Sequence, residues 1–361
     1  MKLKELAYSA QNHLQAATDC SFKRAHIYEL LAASFGYKSY TAFGVDAVLT
    51  WRRPGDTRPS PHRAGVRKRC NELGYQPHTA ERASSALTVF LEERQIGAMT
   101  ISALANQLRS ASLDQDSDGD WLDADDDVAD PMLVEGLEMA ASNGNVLAHF
   151  ALAMIYAPND ADAKPEAGSD YWYTQGKKGR ILTGVEKAWA DAYESRLVKA
   201  AKYTHHLREA ARLGQQDALL ELADRFNDPA FFEQTDAQVD ADPAFVAEIA
   251  RHLGRPNDAR KWLTIAAEAG DAESMRTLFE HYDHGDLQRC WTWLYLAALV
   301  GADLTRDEYY AIHEDGSPYD DDVGGNAFVD GRGGIELVPL NAELDTAARR
   351  AAQELFKRIS E

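Results

Sequence analysis

The chain has 361 residues, of which 45% are hydrophobic, and it carries 58 Asp and Glu against 38 Lys and Arg, a formal net charge of -20. That length and apolar content suit two or three domains with real cores and exclude a disordered polymer. The charge opposes non-specific binding to nucleic acid or acidic membranes, because the field of the whole molecule repels phosphate.

From residue 1 to about 110 the pattern predicts short amphipathic helices. Leu3, Leu6, Ala7, Ala10 and Leu14 form one helical stripe, and Ile27, Leu30 and Leu31 another, in a helix that Gly36 would end as its left-handed C′ residue. Ser39 is placed to cap a helix with Ala42 and Phe43. Residues 51 to 60, broken by Pro54 and Pro59, read as a loop. A helix with Val66, Cys70 and Leu73 stops at Gly74, and one with Ala83, Ala86, Leu87, Phe90 and Leu91 follows a Thr79 cap. Ile101, Leu104, Ala105 and Leu108 belong to the last helix of this N-terminal domain.

Nine aspartates fall between residues 114 and 130, and their mutual repulsion predicts a linker over about 111 to 130. Within it Asp114, Asp116, Asp118 and Asp120, with Asp125 at position 12, match the spacing at which carboxylates converge on Ca²⁺. The competing reading is a solvated acidic linker, since no exiting helix fits before Pro131.

After the linker one pattern recurs four times: Leu137, Ala140, Ala141 and Gly144; Leu207, Ala210, Ala211 and Gly214; Leu263, Ala266, Ala267 and Gly270; Leu294, Ala297, Ala298 and Gly301. Leucine and alanines share one helical face, and the glycine falls where a helix ends. A second helix follows, with Ala148, Leu152 and Tyr156; Ala218, Leu222 and Phe226; Ser274, Leu278 and Tyr282; and, in the fourth copy, Thr305, Tyr309 and His313. Asn145, Asp271 and Asp303 are suitable N-caps for these second helices.

By these residues the segment from about 131 to 313 resembles the Sel1-like repeat family, relatives of the tetratricopeptide repeats. The resemblance implies an all-α fold, an α-α solenoid of helical hairpins. Copies start 70, 56 and 31 residues apart, so the solenoid is irregular, with insertions that include helices over about 185 to 213 and 245 to 253. Residues 314 to 361 add an acidic, glycine-rich loop, a small hairpin of 326 to 329 with 335 to 338 as the sole β-structure, and a capping helix over 342 to 359 with Leu344, Ala348, Ala351, Leu355 and Phe356 inward.

Residues 1 to 70 hold 12 Lys and Arg against 5 Asp and Glu, a net of +7, which leaves -27 for the remainder. Arg52, Arg53, Arg58, Arg63, Arg67, Lys68 and Arg69 form a basic island. It could meet phosphate backbones, or pair with acidic groups of its own chain; the overall charge favours the second, so nucleic acid is not the expected partner. His205, His206, His281 and His284 read as turn and surface histidines, and sequence supplies no metal set. Tyr171, Trp172 and Tyr173 cannot all face one core from a helix, so at least one is expected at the surface as an interface anchor.

Cys20, Cys70 and Cys290 are odd in number and far apart, and read as reduced packing residues. No apolar run suits a membrane span or a secretory signal, so a cytoplasmic location without membrane contact is expected. No motif specifies catalysis. The expectation is a non-enzymatic scaffold or adaptor that holds a protein partner through a basic or amphipathic segment, with no cofactor beyond a possible Ca²⁺. Two alternatives stand beside it: a regulator whose basic N-terminal domain touches nucleic acid, and an enzyme of unrecognised type.

Overall fold

The computed structural model describes residues 1–52, 60–113, 130–158, 168–234, 239–314, 316–319 and 326–360, with backbone alone at 110–113. The described residues are mostly helical, with two small antiparallel sheets. Packing divides the chain into two units, Met1–Leu219 and Leu220–Glu361.

The first unit opens with α1 (Leu3–Thr18), α2 (Arg24–Ser34) and α3 (Tyr40–Asp46). The stripe expected on α1 is its buried face, and Ser39 caps α3 by accepting from the Ala42 N–H at 3.1 Å. The chain then runs into β1 (Ala47–Trp51), so Trp51 begins no loop; it is paired with Ile96. Next come α4 (Arg63–Glu72), α5 (Pro77–Glu93) and β2 (Ile96–Thr100). Thr79 lies inside α5, because Pro77, which lacks an N–H, opens the helix one turn earlier than a Thr79 cap would.

β1 and β2 overturn the expectation of an all-helical N-terminal part. Strand alternation explains their position: Ala47 and Leu49 enter a core built from α1, α2, α4 and α5, while Val48 points the other way. Val48 joins Ile101 and Leu104 of α6 (Ile101–Leu113), Leu137 and Ala140 of α7 (Pro131–Ser142), and Ala148, Ala151 and Leu152 of α8 (Val146–Tyr156). α7 also packs on α1 and α3, so the first repeat hairpin and residues 1 to 110 belong to one compact unit. Two glycines permit close approaches within this unit, Gly65 between α4 and α2 and Gly136 between α7 and β1. A Cβ at Gly65 would sit 2.2 Å from the Ala33 carbonyl oxygen, and one at Gly136 would sit 3.0 Å from a Val48 methyl.

α9 (Ser169–Lys177) and the 29-residue α10 (Gly184–Arg212) pack on each other, α10 also packs on α8, and the division between units falls inside α11 (Gln216–Phe226). The second unit continues through a 3₁₀ turn (Pro229–Glu233), α12 (Pro243–His252), α13 (Pro256–Glu268), α14 (Ala272–Leu278), a π turn (Phe279–Asp283) and α15 (Leu287–Leu299). β3 (Glu308–Ile312), β4 (Phe328–Arg332) and α16 (Ala342–Ser360) complete it. Successive helices from α12 to α15 are neighbours, and α16 packs on α15.

The recurring Ala-Ala-x-x-Gly is a helix stop. In the first copy the Ala141 carbonyl accepts from the Gly144 N–H at 2.8 Å and the Ala140 carbonyl from the Asn145 N–H at 3.1 Å. The same pairs close α10, α13 and α15, and the four glycines have φ of +84°, +93°, +102° and +93°. This left-handed cap satisfies the last carbonyls and turns the chain at once, at a conformation that a β-carbon would strain. Asn145 and Asp271 then cap α8 and α14 through the Ala148 and Ser274 N–H groups.

The fourth copy departs from this plan. α15 stops as expected, but Asp303 accepts from the Thr305 N–H in a turn and β3 follows, with Tyr309 on the strand and His313 just beyond it. Thr305, Tyr309 and His313 therefore lie on no helix. The β-branched and aromatic run Tyr309, Tyr310, Ile312 favours extended chain. β4 pairs with β3, with Ala311 opposite Val329, and not with residues 335 to 338. On α16 the buried face is Ala348, Ala352 and Leu355, while Leu344 is exposed in the first turn.

Candidate functional site

The longest helix is sparsely covered. α10 buries Ala190, then Tyr203, His206, Leu207, Ala210 and Ala211 near its C-terminal end, so its N-terminal two-thirds lean chiefly on α9. Large apolar side chains are left in water along it and in the turn before it: Ile181 is 88% exposed and Val185 62%, and Leu197 and Val198 are exposed as well. Of the aromatic triplet, Tyr171 is 52% exposed and meets Trp172 edge-on at 5.1 Å. The Arg180 guanidinium lies over Trp172 at 4.7 Å, and Tyr173 turns to Tyr193 at 5.3 Å. The triplet is thus split between surface and helix contact. Charges of both signs surround it, with Lys177 bonded to Glu194 and Arg180 to Glu186.

Farther along α10 a groove of about 550 Å³ is lined by Ala200, Ala201, Thr204, His205, Arg208 and Glu209. Behind it, His206 is buried, which corrects its reading as a surface residue. Its Nδ1 lies 3.1 Å from Nδ1 of His149 on α8, and the His149 Nε2 lies 3.1 Å from the Ala141 carbonyl oxygen. The ring of Tyr156 stacks on His206 at 6.2 Å, and Lys202 donates to the Tyr156 hydroxyl at 2.9 Å. Desolvation, then the charge of His149 and its neighbours, pushes the His206 pKa down to about 4. Desolvation lowers that of His149 as well, so the pair is neutral at pH 7. Sequence reasoning missed this pair because its members are 57 residues apart.

Three described members of the basic island, Arg67, Lys68 and Arg69, meet acids of their own unit. Arg69 donates to Glu29 at 2.7 Å and to Glu72 at 2.9 Å, Arg67 pairs with Glu81 at 3.1 Å, and Lys68 stands 4.0 Å from Glu72. The Arg52 side chain reaches the Ser60 hydroxyl at 3.2 Å, and Arg63 opens α4. Arg53 and Arg58 lie outside the described residues, as do Asp114, Asp116, Asp118, Asp120 and Asp125 of the calcium reading. Among the described residues no group of three or more His, Cys, Asp or Glu could hold a metal.

In the second unit the Asp283 carboxylate is fully buried. It receives Arg260 at 2.7 Å, Arg289 at 2.8 Å and the Trp293 indole N–H at 2.9 Å. Trp293 is buried beside it, and Trp291 donates to the Val338 carbonyl at 3.0 Å. Burial pushes the thiols of Cys70 and Cys290 up, to about 12 and about 11, which keeps both protonated and unreactive. Among the described residues no helix is long and apolar enough to cross a membrane. Comparison with known protein families, curated proteins and solved structures returns no match.

Proposed function

We propose that this chain is a non-enzymatic interaction scaffold whose capped helix pairs stack in the manner of Sel1-like repeats and whose working surface is the insertion α9–α10. One observation carries the reading: Tyr171, Ile181, Val185, Leu197 and Val198 leave large apolar side chains in water on one helix pair and the turn that joins it. Large apolar side chains gathered on one exposed element are a mark of interaction faces in folded proteins. Salt-bridged charges of both signs rim it, which favours an amphipathic protein segment over a purely basic one.

The test is affinity purification from the native cell with quantitative mass spectrometry, repeated with Tyr171→Ala and with Val198→Asp. A scaffold acting here loses one reproducible set of partners in both variants and keeps its melting temperature. Recovery of the same partners at the same level from both variants defeats the reading.

A further inference from the structure

Among the described residues the β3–β4 ribbon is firmly rooted and almost uncovered. At its root Arg276, 1% exposed, donates to the Gly333 carbonyl at 3.1 Å and to the Leu304 carbonyl at 3.3 Å. Arg332 grips Glu273 through two bonds of 2.6 and 2.5 Å. Yet Tyr309 is 59% exposed, Val329 75%, and Tyr310 and Phe328 are exposed too. An isolated two-stranded ribbon is marginal in water, and a third strand is what ordinarily stabilises it.

The two outer edges differ. Beyond β3, Tyr319 donates to the Ala311 carbonyl at 3.0 Å and His313 to the Ser317 carbonyl at 2.8 Å, so that side is occupied. Because Ala311 turns its carbonyl away from β4, its register partner Val329 turns its own N–H and C=O away from β3. The N–H of Gly331, two residues on, is held by the Asp330 carboxylate at 2.7 Å. Among the described residues that edge is therefore open, short and centred on Val329.

Charge selects the occupant. Residues 303 to 334 contain nine Asp and Glu against two Arg, and one of these, Arg332, is neutralised by Glu273 and Glu308. A second copy would bring the same acidic segment and set Asp330 near its own equivalent, a like-charge pairing that strands disfavour. We propose that the outer edge of β4 receives an extended basic segment of another protein as a third strand. Val329 supplies the main-chain bonds, Phe328 and Tyr310 offer apolar contact, and the acidic surround holds Lys and Arg. The proposal rests on the scaffold reading for the class of partner alone, and it uses a different surface.

The experiment uses the full chain and a fluorescent peptide of alternating Val and Lys, with a Val/Glu counterpart and a backbone N-methylated Val/Lys version as controls, read by anisotropy. The Val/Lys peptide should bind, weaken in about 0.5 M salt as charges are screened, and exceed both controls by about tenfold or more. Val329→Pro, which removes the edge donor, should weaken binding by about tenfold, while Val329→Thr, which keeps it, should stay within about threefold. Equal binding of the N-methylated peptide overturns the proposal without recourse to any variant of the protein. Concentration-dependent self-association that Val329→Pro abolishes overturns it in favour of a second copy. Tyr171→Ala should leave peptide binding unchanged, so failure of the α9–α10 reading and failure of this one are told apart.

Discussion

His206 donates and His149 accepts in the bond that joins α8 to α10. The direction follows from a third group: the Ala141 carbonyl can only accept, so the proton of neutral His149 sits on Nε2 and its Nδ1 is left as a lone pair. The same carbonyl accepts from Gly144 in the helix stop, which ties the histidine pair to the repeat motif. Around the pair stand Glu138, Tyr156, Lys202, His205, Glu209 and Arg212, from α7, α8 and α10. The folded pKa of His206, about 4, is below the unfolded value near 6.5, so between these limits the unfolded chain binds more protons. Stability from this site is complete above pH 6.5 and is lost as pH falls toward 4, a change of about 3 kcal/mol. Urea titrations across this range should show the slope in the native protein and its reduction in His206→Leu. A wild-type-to-variant difference that stays constant with pH would rule the account out.

Ala267 is fully buried where α13 meets α14, and Ala269, two residues on, is exposed. Leucine at 267 adds three carbons to a filled contact and should cost about 1–3 kcal/mol. Ala269→Leu should lie within about 0.5 kcal/mol of wild type. Equal urea midpoints for the two variants would mean that small residues are not what lets these helices close.

Asp283 holds two guanidinium groups and an indole with no exposed surface of its own. Its replacement by alanine leaves the buried indole N–H without its acceptor and releases the half-exposed Arg260 and Arg289 to water, and should destabilise by about 1–3 kcal/mol. Trp293→Phe, which removes one hydrogen bond, should cost about 1 kcal/mol. Chemical denaturation of both variants separates a charge hub from a simple packing site, since packing alone would make the tryptophan change the more severe.

Arg276→Met should loosen the ribbon more than the helices. Hydrogen exchange by mass spectrometry is expected to rise in peptides covering residues 305 to 312 and 328 to 335, with little change in α13. Uniform acceleration throughout the second unit would show that Arg276 supports the helices themselves.

The features legible in the sequence are local. The four Ala-Ala-x-x-Gly stops, the α1 stripe and the Ser39, Asn145 and Asp271 caps each depend on residues within about two helical turns. What escaped was non-local. β1 and β2 are five residues each and 44 residues apart, and neither Ala-Val-Leu-Thr-Trp nor Ile-Gly-Ala-Met-Thr alternates cleanly, because β1 is buried on both faces. The fourth copy keeps the helix stop, but no second helix follows it, because Tyr309, Tyr310 and Ile312 favour a strand. His149 with His206, and Asp283 with Arg260, are partners that only folding brings together. Of the candidate site, exposure of an aromatic in the triplet followed from helical geometry, but the exposure of Ile181, Val185, Leu197 and Val198 did not.

The π turn at Phe279–Asp283 has a consequence for relatives of this chain. A π turn is an α-helix carrying one residue too many, and each residue rotates the following side chain by about 100°. Excising one residue between Phe279 and Tyr282 would restore a regular helix and swing the carboxylate of Asp283 away from Arg260 and Arg289. A homologue that is one residue shorter here should therefore also lack the two arginines, so the indel and the arginine pair ought to be gained and lost together.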